Sequence, residues 1–459
     1  MEGIYDNISE LPEGWQRVSL GDVITVIRGA SPRPKGDPKY FGGDIPWIMI
    51  SDITREKGKY ISQTKDHVTK AGAGKSRYLK AGTLILSNSG TVCVPKILSV
   101  DGCIHDGFVA FPDLSDDFDI LYLYYFFEYI RPRIINAHRQ GITQVNLNTG
   151  IVKEIKLPFA PLEQQKRIVA EIEKQFSRLD EAVTNLKRVK ANLKRYKAAV
   201  LKAAVEGKLT EEWRQQHPDV EPVSKLLERI LTERRQKWEG KGKYKDPSAP
   251  DTTDLPKLPG GWIWSTFEAV AKRVTVGHVG SMKNEYVDQG IPFLRSQNVR
   301  PNRYDPEGLK YISTEFHKQL KKSTLNPGDI VVVRSGSVGV SCVIPENLPE
   351  ANCSDLVIIQ TPEAILPEYG AYYMNSVVET RVAAGKVGVA LTHFNTKSVA
   401  SLPLPLPPVE EQRRIVDEVG SRLSCVREVE FQLEANFKRA ERLRQSILSK
   451  AFSGGVING

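Results

Sequence analysis

Cysteine is scarce: five residues in 459, at Cys93, Cys103, Cys342, Cys353 and Cys425, an odd and widely spaced set. No Cys-x-x-Cys pair occurs, and the seven histidines form no ligand-spaced cluster. That spacing argues against both a disulfide framework and a structural zinc site, and reduced, mostly buried thiols are expected. Long apolar runs are missing as well. The most apolar stretch, Ile120 to Ile130, is about half a membrane span and carries tyrosines and Glu128, so an amphipathic helix is expected there. Met1 to Glu10 has neither a basic start nor an apolar run. A soluble, cytoplasmic protein is the expectation.

Catalytic signatures are absent too. The chain has no Asn- or Asp-Pro-Pro-aromatic loop of the kind that holds a flipped base in amino-methyltransferases. Asp113, Asp116 and Asp117 are acidic, but nothing near them completes the carboxylate and lysine set of a metal-dependent nuclease. Gly72-Ala73-Gly74-Lys75-Ser76 imitates a phosphate loop, yet Thr69 stands where its leading glycine belongs and no apolar strand precedes it. Ser335-Gly336-Ser337-Val338-Gly339 lacks the three-glycine dinucleotide spacing. No catalytic or metal-ligating residue is assigned, and a non-catalytic binding protein is expected.

What the chain does have is a second copy of itself. Leu11-Pro12-Glu13-Gly14-Trp15 returns as Leu258-Pro259-Gly260-Gly261-Trp262. Gly82-Thr83-Leu84-Ile85-Leu86 with Ser89-Gly90 returns as Gly328-Asp329-Ile330-Val331-Val332 with Ser335-Gly336. Pro161-Leu162-Glu163-Gln164-Gln165 returns as Pro408-Val409-Glu410-Glu411-Gln412, and Val200-Leu201, Ala204 and Gly207 as Ile447-Leu448, Ala451 and Gly454. The offset stays at 246 or 247 residues, as a tandem duplication requires.

Each copy divides in two. Residues 1–160 and 258–407 alternate short apolar runs with Gly, Pro and Asp turns, which predicts an α+β domain. Strands are expected at Ile45 to Ile50, Thr83 to Leu86, Phe108 to Phe111, Ile330 to Val333 and Leu356 to Gln360. Helices are expected at Leu121 to Ile130 and Glu368 to Val382. Residues 161–207 and 408–454 space their apolar positions by threes and fours: Val169, Ile172, Phe176, Leu179, Val183 and Leu186 in the first, Val416, Val419, Leu423 and Val426 in the second. That is a coiled-coil seam, bounded by proline before and glycine after. Gly420 is its weak point. About 45 helical residues make a rod of roughly 65 Å, which overhangs a 150-residue domain, so the two rods are expected to pack on each other. Residues 208–257 read as a helical extension, Leu209 to Trp238, and a flexible linker.

The net charge of +9 and pI near 9.1 favour a polyanionic partner. Basic side chains gather in loops of the α+β domains. In the first copy these are Arg28, Arg33, Lys35 and Lys39, then Lys75 and Arg77, then Arg139, Gln144 and Asn146. In the second they are Arg295, Gln297, Asn298, Arg300 and Arg303, with Arg334 and Lys386. Arg, Gln and Asn can read base edges by paired hydrogen bonds, and Lys and Arg neutralise phosphates, so these residues form the candidate DNA-binding set.

The duplicated Leu-Pro-x-Gly-Trp opening, the Gly-Asp-Ile-Val of residues 328–331 followed by Ser335-Gly336, and the Pro-Leu-Glu-Gln-Gln of residues 161–165 before a long helix resemble the specificity subunits of type I restriction-modification systems. The resemblance runs over essentially the whole chain. It implies two target-recognition domains, each reading half of a split DNA site. It also implies that the long helices pack as an antiparallel coiled coil, set the spacer and dock two modification subunits. Restriction subunits complete such a complex. S-adenosylmethionine is then expected on the modification subunits, and ATP and magnesium on the restriction subunits, with no cofactor on this chain. Two other readings stay open from sequence: a coiled-coil scaffold without sequence-specific DNA binding, and a self-sufficient nuclease or methyltransferase.

Overall fold

The computed structural model describes residues 11–455, apart from 89–90, 140–146, 241, 349 and 384–394. Two helices of 44 residues dominate it, Leu162–Val205 and Val409–Phe452. The second runs through Gly420 without a break. A Cβ at that position would meet nothing closer than the Tyr372 hydroxyl at 3.9 Å.

The chain divides into two compact units that do not follow chain order. One joins Met1–Lys187 to Glu434–Gly459; the other is Arg188–Leu433. Each unit therefore holds one α+β domain, the first half of that domain's own long helix, and the last half of the other helix.

In the first unit, a five-stranded sheet runs in the order Ile27–Arg28, Phe108–Phe111, Leu84–Ser87, Pro95–Leu98, Tyr60–Ile61. A four-stranded sheet runs Asp66–Val68, Phe41–Ile48, Gly102–Ile104, Arg77–Leu79. The second unit repeats this plan. Ala271–Val276, Leu356–Pro362, Ile330–Val333 and Ser341–Val343 form one sheet. Tyr286–Val287, Lys310–Ile312, Ile291–Leu294, Ala351–Cys353 and Thr324–Leu325 form the other. The strand expected at Ile45 to Ile50 stops at Ile48. Asp52 is the reason: its carboxylate accepts the Met49 N–H at 2.8 Å and starts a short helix, Ile50–Arg55.

The repeated motifs build matched joints. In the first unit the Trp15 indole N–H donates to Gln164 Oε1 at 2.7 Å. Buried Gln165 donates to the Asp117 and Ala160 carbonyls and accepts the Asp119 N–H, tying the start of the long helix to the helix Ile120–Arg139. Tyr122 donates to the Pro158 carbonyl at 2.6 Å. Trp262 with Glu411, Gln412 with the Ala364 and Pro407 carbonyls and the Leu366 N–H, and Tyr369 with the Pro405 carbonyl do the same in the second unit.

The helix ends are also matched. Phe452, fully buried, sits among Tyr122, Phe126 and Tyr129 of the first domain at ring distances of 5.1, 5.6 and 5.4 Å. Val200, Leu201 and Ala204 enter the core of the second domain with Tyr369, Tyr372 and Tyr373. Gly454 and Gly207 end the helices with φ of +80° and +70°, in the left-handed region that stops a helix.

Within each unit the paired helix halves run antiparallel. In the second, Lys197 meets Glu430 at 2.7 Å while Thr210, thirteen residues on, meets Glu411 at 2.7 Å. In the first, Arg444 pairs with Asp180 at 2.5 Å and stacks on the Phe176 ring. From Leu179 to Leu193 the expected seam is half-buried, with Val189 exposed, because a single partner helix covers only one side of a rod.

Residues 208–257 begin with two helices, Glu211–Gln216 and Val223–Gln236, and the second buries Val223 and Leu227 in the second unit's core. Cys93, Cys103, Cys342 and Cys353 are buried and unpaired, and Cys425 is exposed. Among the described residues no helix is long and apolar enough to cross a membrane.

Candidate nucleic-acid interface

The two domains share an equivalent parallel strand pair. Trp47 and Ile48 lie beside Cys103 and Ile104, and Phe293 and Leu294 beside Asn352 and Cys353. The Ile48 carbonyl accepts the His105 N–H at 3.1 Å, and the Leu294 carbonyl accepts the Ser354 N–H at 3.0 Å. The carboxyl ends of parallel strands leave a crevice where ligands commonly bind. Here an aspartate stands two residues past the end of each second strand, Asp106 in one domain and Asp355 in the other.

Asp106 organises the first domain's cations. Its carboxylate accepts from Ser31 Oγ at 3.0 Å and lies 3.9 Å from the exposed Arg33 guanidinium; its carbonyl accepts Arg28 Nε at 3.2 Å. Burial holds the neighbouring His105 imidazole below its ordinary value, Arg33 and Lys35 push the same way, and Asp106 opposes them. Ser76 Oγ donates to the Ala30 carbonyl at 2.6 Å, which brings Lys75 and Arg77 alongside this loop. Arg77 also pairs with Ile104 across the sheet. Lys35 lines an open cleft of about 560 Å³, and Lys39 lies over the Tyr40 ring. The structure thus gathers Arg28, Arg33, Lys75 and Arg77 around one strand end.

The phosphate-loop imitation is a capped turn. Thr69 Oγ1 accepts the Gly72 N–H, and the amides of Ala73, Gly74, Lys75 and Ser76 are all bonded to nearby carbonyls. No amide of that run is left to cradle a phosphate.

In the second domain Arg334 donates to Asp355 at 2.8 Å. Arg295 directly follows the parallel pair and donates to the Gly308 carbonyl at 2.8 Å, as Gln297 does at 3.2 Å. Arg300 and Arg303 face each other across a two-residue hairpin. Both point at Asp305, whose carboxyl lies below the usual range because it accepts from Arg300. Exposed Arg300 and Arg303 keep donors for another ligand.

Asn298 does not belong with them. It is fully buried, accepts the Arg295 N–H at 3.0 Å and donates to the Asp305 and Glu307 carbonyls. It is the counterpart of Asp52, the same turn-capping position in the other copy, and with both amide protons committed and the side chain buried it is out of reach of a base. The side chain of Arg139, and Gln144, Asn146 and Lys386 altogether, lie outside the described residues. Asp106 and Asp355, which hold Arg33 and Arg334, are the functional positions that composition did not point to. Among the described residues no group of three or more His, Cys, Asp or Glu side chains is placed to hold a metal ion.

Two matched domains that present cations at the same strand ends, on paired long helices, define a duplicated DNA-reading protein. The chain belongs to the type I restriction modification DNA specificity domain family, whose model matches residues 12–195 and 274–420. It is 25% identical to the EcoKI specificity subunit of Escherichia coli K12, over 97% of this chain and 90% of that one. To the EcoBI specificity subunit of Escherichia coli it is 27% identical, over 70% of this chain and 62% of that one. Two solved structures share the fold. One, from work on complex assembly and conformational transition of the type I R-M system, aligns at a TM-score of 0.65 with 20% identity, covering 96% of this chain and 98% of that one. The other, the HsdS subunit from Thermoanaerobacter tengcongensis, aligns at 0.53 with 19% identity, covering 98% and 99%.

Proposed function

We propose that each α+β domain reads one half of a split, asymmetric duplex DNA target. The long helices hold the halves at a set separation and dock two modification subunits, and restriction subunits join that core. S-adenosylmethionine then serves the modification subunits, and ATP and magnesium the restriction subunits. The observation that carries the DNA assignment is an arginine on an aspartate at equivalent strand ends, Arg33 at Asp106 and Arg334 at Asp355, with further exposed arginines nearby in each domain. Arg28, Arg33, Lys35, Lys39, Lys75 and Arg77 are the proposed contacts of the first domain, and Arg295, Gln297, Arg300, Arg303 and Arg334 those of the second. Arg139, Gln144, Asn146 and Lys386 are retained from the sequence. Rods of roughly 65 Å span at most about two turns of DNA at ~34 Å each, which bounds the spacer.

The test is single-molecule sequencing of adenine methylation in cells that carry this chain with its neighbouring modification subunit. Methylation at one split motif that disappears when this chain is deleted is expected. Methylation indifferent to its deletion would leave a scaffold, which should bind DNA without sequence preference and without steep salt dependence.

A further inference from the structure

The two domains keep the same frame but differ on one face. In the first, Phe41 and Ile45 both pair with Val68, and Trp47 pairs with Asp66. In the second, Tyr286 and Ile291 both pair with Ile312, and Phe293 pairs with Lys310. Strand register therefore matches Phe41 with Tyr286, Trp47 with Phe293 and Asp66 with Lys310. The shared cap matches Met49 with Arg295. Directly paired residues lie on one side of a sheet, as do residues two apart along a strand, so all four positions share a face in each domain.

Two of these positions are aromatic in both copies. Phe41 and Trp47 stand 5.0 Å apart, and Tyr286 and Phe293 6.1 Å apart. The other two change character. The second domain carries Arg295 and Lys310, both resting on the Tyr286 ring at 6.0 and 5.9 Å. The first carries Met49 and Asp66 instead, at an open cleft of about 560 Å³ flanked by Lys35 and Lys65.

We infer that this face is the base-reading surface of each domain, and that the switch from Met49 and Asp66 to Arg295 and Lys310 makes the two half-sites different. The inference rests on the DNA-reading function proposed above and names where, and by what chemistry, the reading occurs. The forked donors of Arg295 with the ammonium of Lys310 match the two acceptors, O6 and N7, that guanine shows in the major groove. An Asp66 carboxylate accepts instead from an exocyclic amine, cytosine N4 or adenine N6, while Met49 offers an apolar contact to a thymine methyl. A carboxylate facing DNA is repelled by phosphates; Lys35 and Lys65 beside it offset that repulsion. Aromatic walls kept in both copies stiffen the platform, so only the rim residues need to change to change the target.

The experiment uses the full chain assembled with its modification subunits. Binding is measured to duplexes carrying each base in turn at every half-site position. Arg295→Met and Lys310→Met should each relax one guanine position of the second half-site by about tenfold or more, leaving the first half-site untouched. Met49→Arg and Asp66→Asn should change preference only in the first half-site. An unchanged preference profile overturns the inference. So does a loss equal for every duplex, which would make the face a backbone contact. If Arg295→Met does not assemble, Lys310→Met, at an exposed side chain, tests the same half-site. A wild-type complex that discriminates among no duplexes would remove the DNA-reading function itself, a result distinct from either failure.

Discussion

The Arg214 guanidinium closes on the carboxylate of Glu411, whose side chain is 1% exposed. Thr210 and the Trp262 indole donate to the same carboxylate at 2.7 and 2.8 Å, and Arg214 also donates to the Gly207 carbonyl. This joint locks the extension after the first long helix onto the second domain. In the other copy the matching residue is neutral Gln164, which takes the Trp15 indole N–H in the same way. A buried carboxylate needs a cation, and a buried amide does not.

Removing the cation alone should therefore be costly. Arg214→Ala is expected to destabilise the Arg188–Leu433 unit by about 3 kcal/mol, the low end for breaking a buried pair because Arg214 is one-fifth exposed. Adding Glu411→Gln, which copies Gln164, should recover most of that loss. Chemical denaturation of the single and double variants reads both values, and equal losses in the two would show that the charge is not what matters.

Phe452 anchors the end of the second long helix in the first domain. Phe452→Ala should cost about 3–5 kcal/mol, as emptying a filled aromatic site does. Gly454→Ala should also loosen that end. A Cβ there would meet Pro12 Cγ at 2.0 Å, on a backbone with φ of +80°. Gly14→Ala, at φ of +83° but with open space around it, separates the backbone effect from the clash. Protease cleavage after residue 434 should accelerate in Phe452→Ala and Gly454→Ala before it does in Gly14→Ala.

Glu128 should make the first unit lose stability as pH rises. Burial raises its carboxyl above the ordinary value, and Arg131, Arg444 and Lys96 only partly offset this. The folded state then holds the proton more tightly than the unfolded chain. Its favourable contribution is complete below the unfolded value near 4.5 and is lost as pH climbs through the raised folded value. Glu128→Gln should match the wild type in melting temperature at pH 4 and exceed it at pH 8. A constant difference across that range would contradict the assignment.

Asn298 and its neighbours should separate cleanly. Asn298→Ala strands two carbonyls and one N–H, so a stability loss of about 2 kcal/mol is expected. Arg300→Gln with Arg303→Gln, which removes both charges without setting new carboxylates against Asp305, should cost little stability and weaken DNA binding by the assembled complex. Neutral Ala at either position should lower the salt slope by about 1 for each phosphate that is no longer neutralised. Titration at several salt concentrations decides this, and an unaltered slope would strike both arginines from the interface.

Much of the fold was legible along the chain. The 247-residue register marked Trp15 with Trp262 and Gln165 with Gln412 before their hydrogen bonds were known, because a joint built twice leaves the same residues twice. The seam of threes and fours bounded both long helices closely. The candidate site was harder to read. Arg300 and Asn298 look alike as polar residues in a loop, and only backbone geometry turns one outward and the other inward. Arg28 and Asp106, 78 residues apart, share a site because two strands place them there.

By itself the sequence determined the duplication, the α+β alternation and two uninterrupted amphipathic helices, since these depend on local spacing, propensity and the positions of proline and glycine. Only the tertiary structure decided which helix end joins which domain. A helix's apolar stripe says that it must be covered, but many surfaces could cover it. The choice falls to long-range packing, which seats Phe452 among Tyr122, Phe126 and Tyr129 of the first domain, more than 300 residues away in the chain.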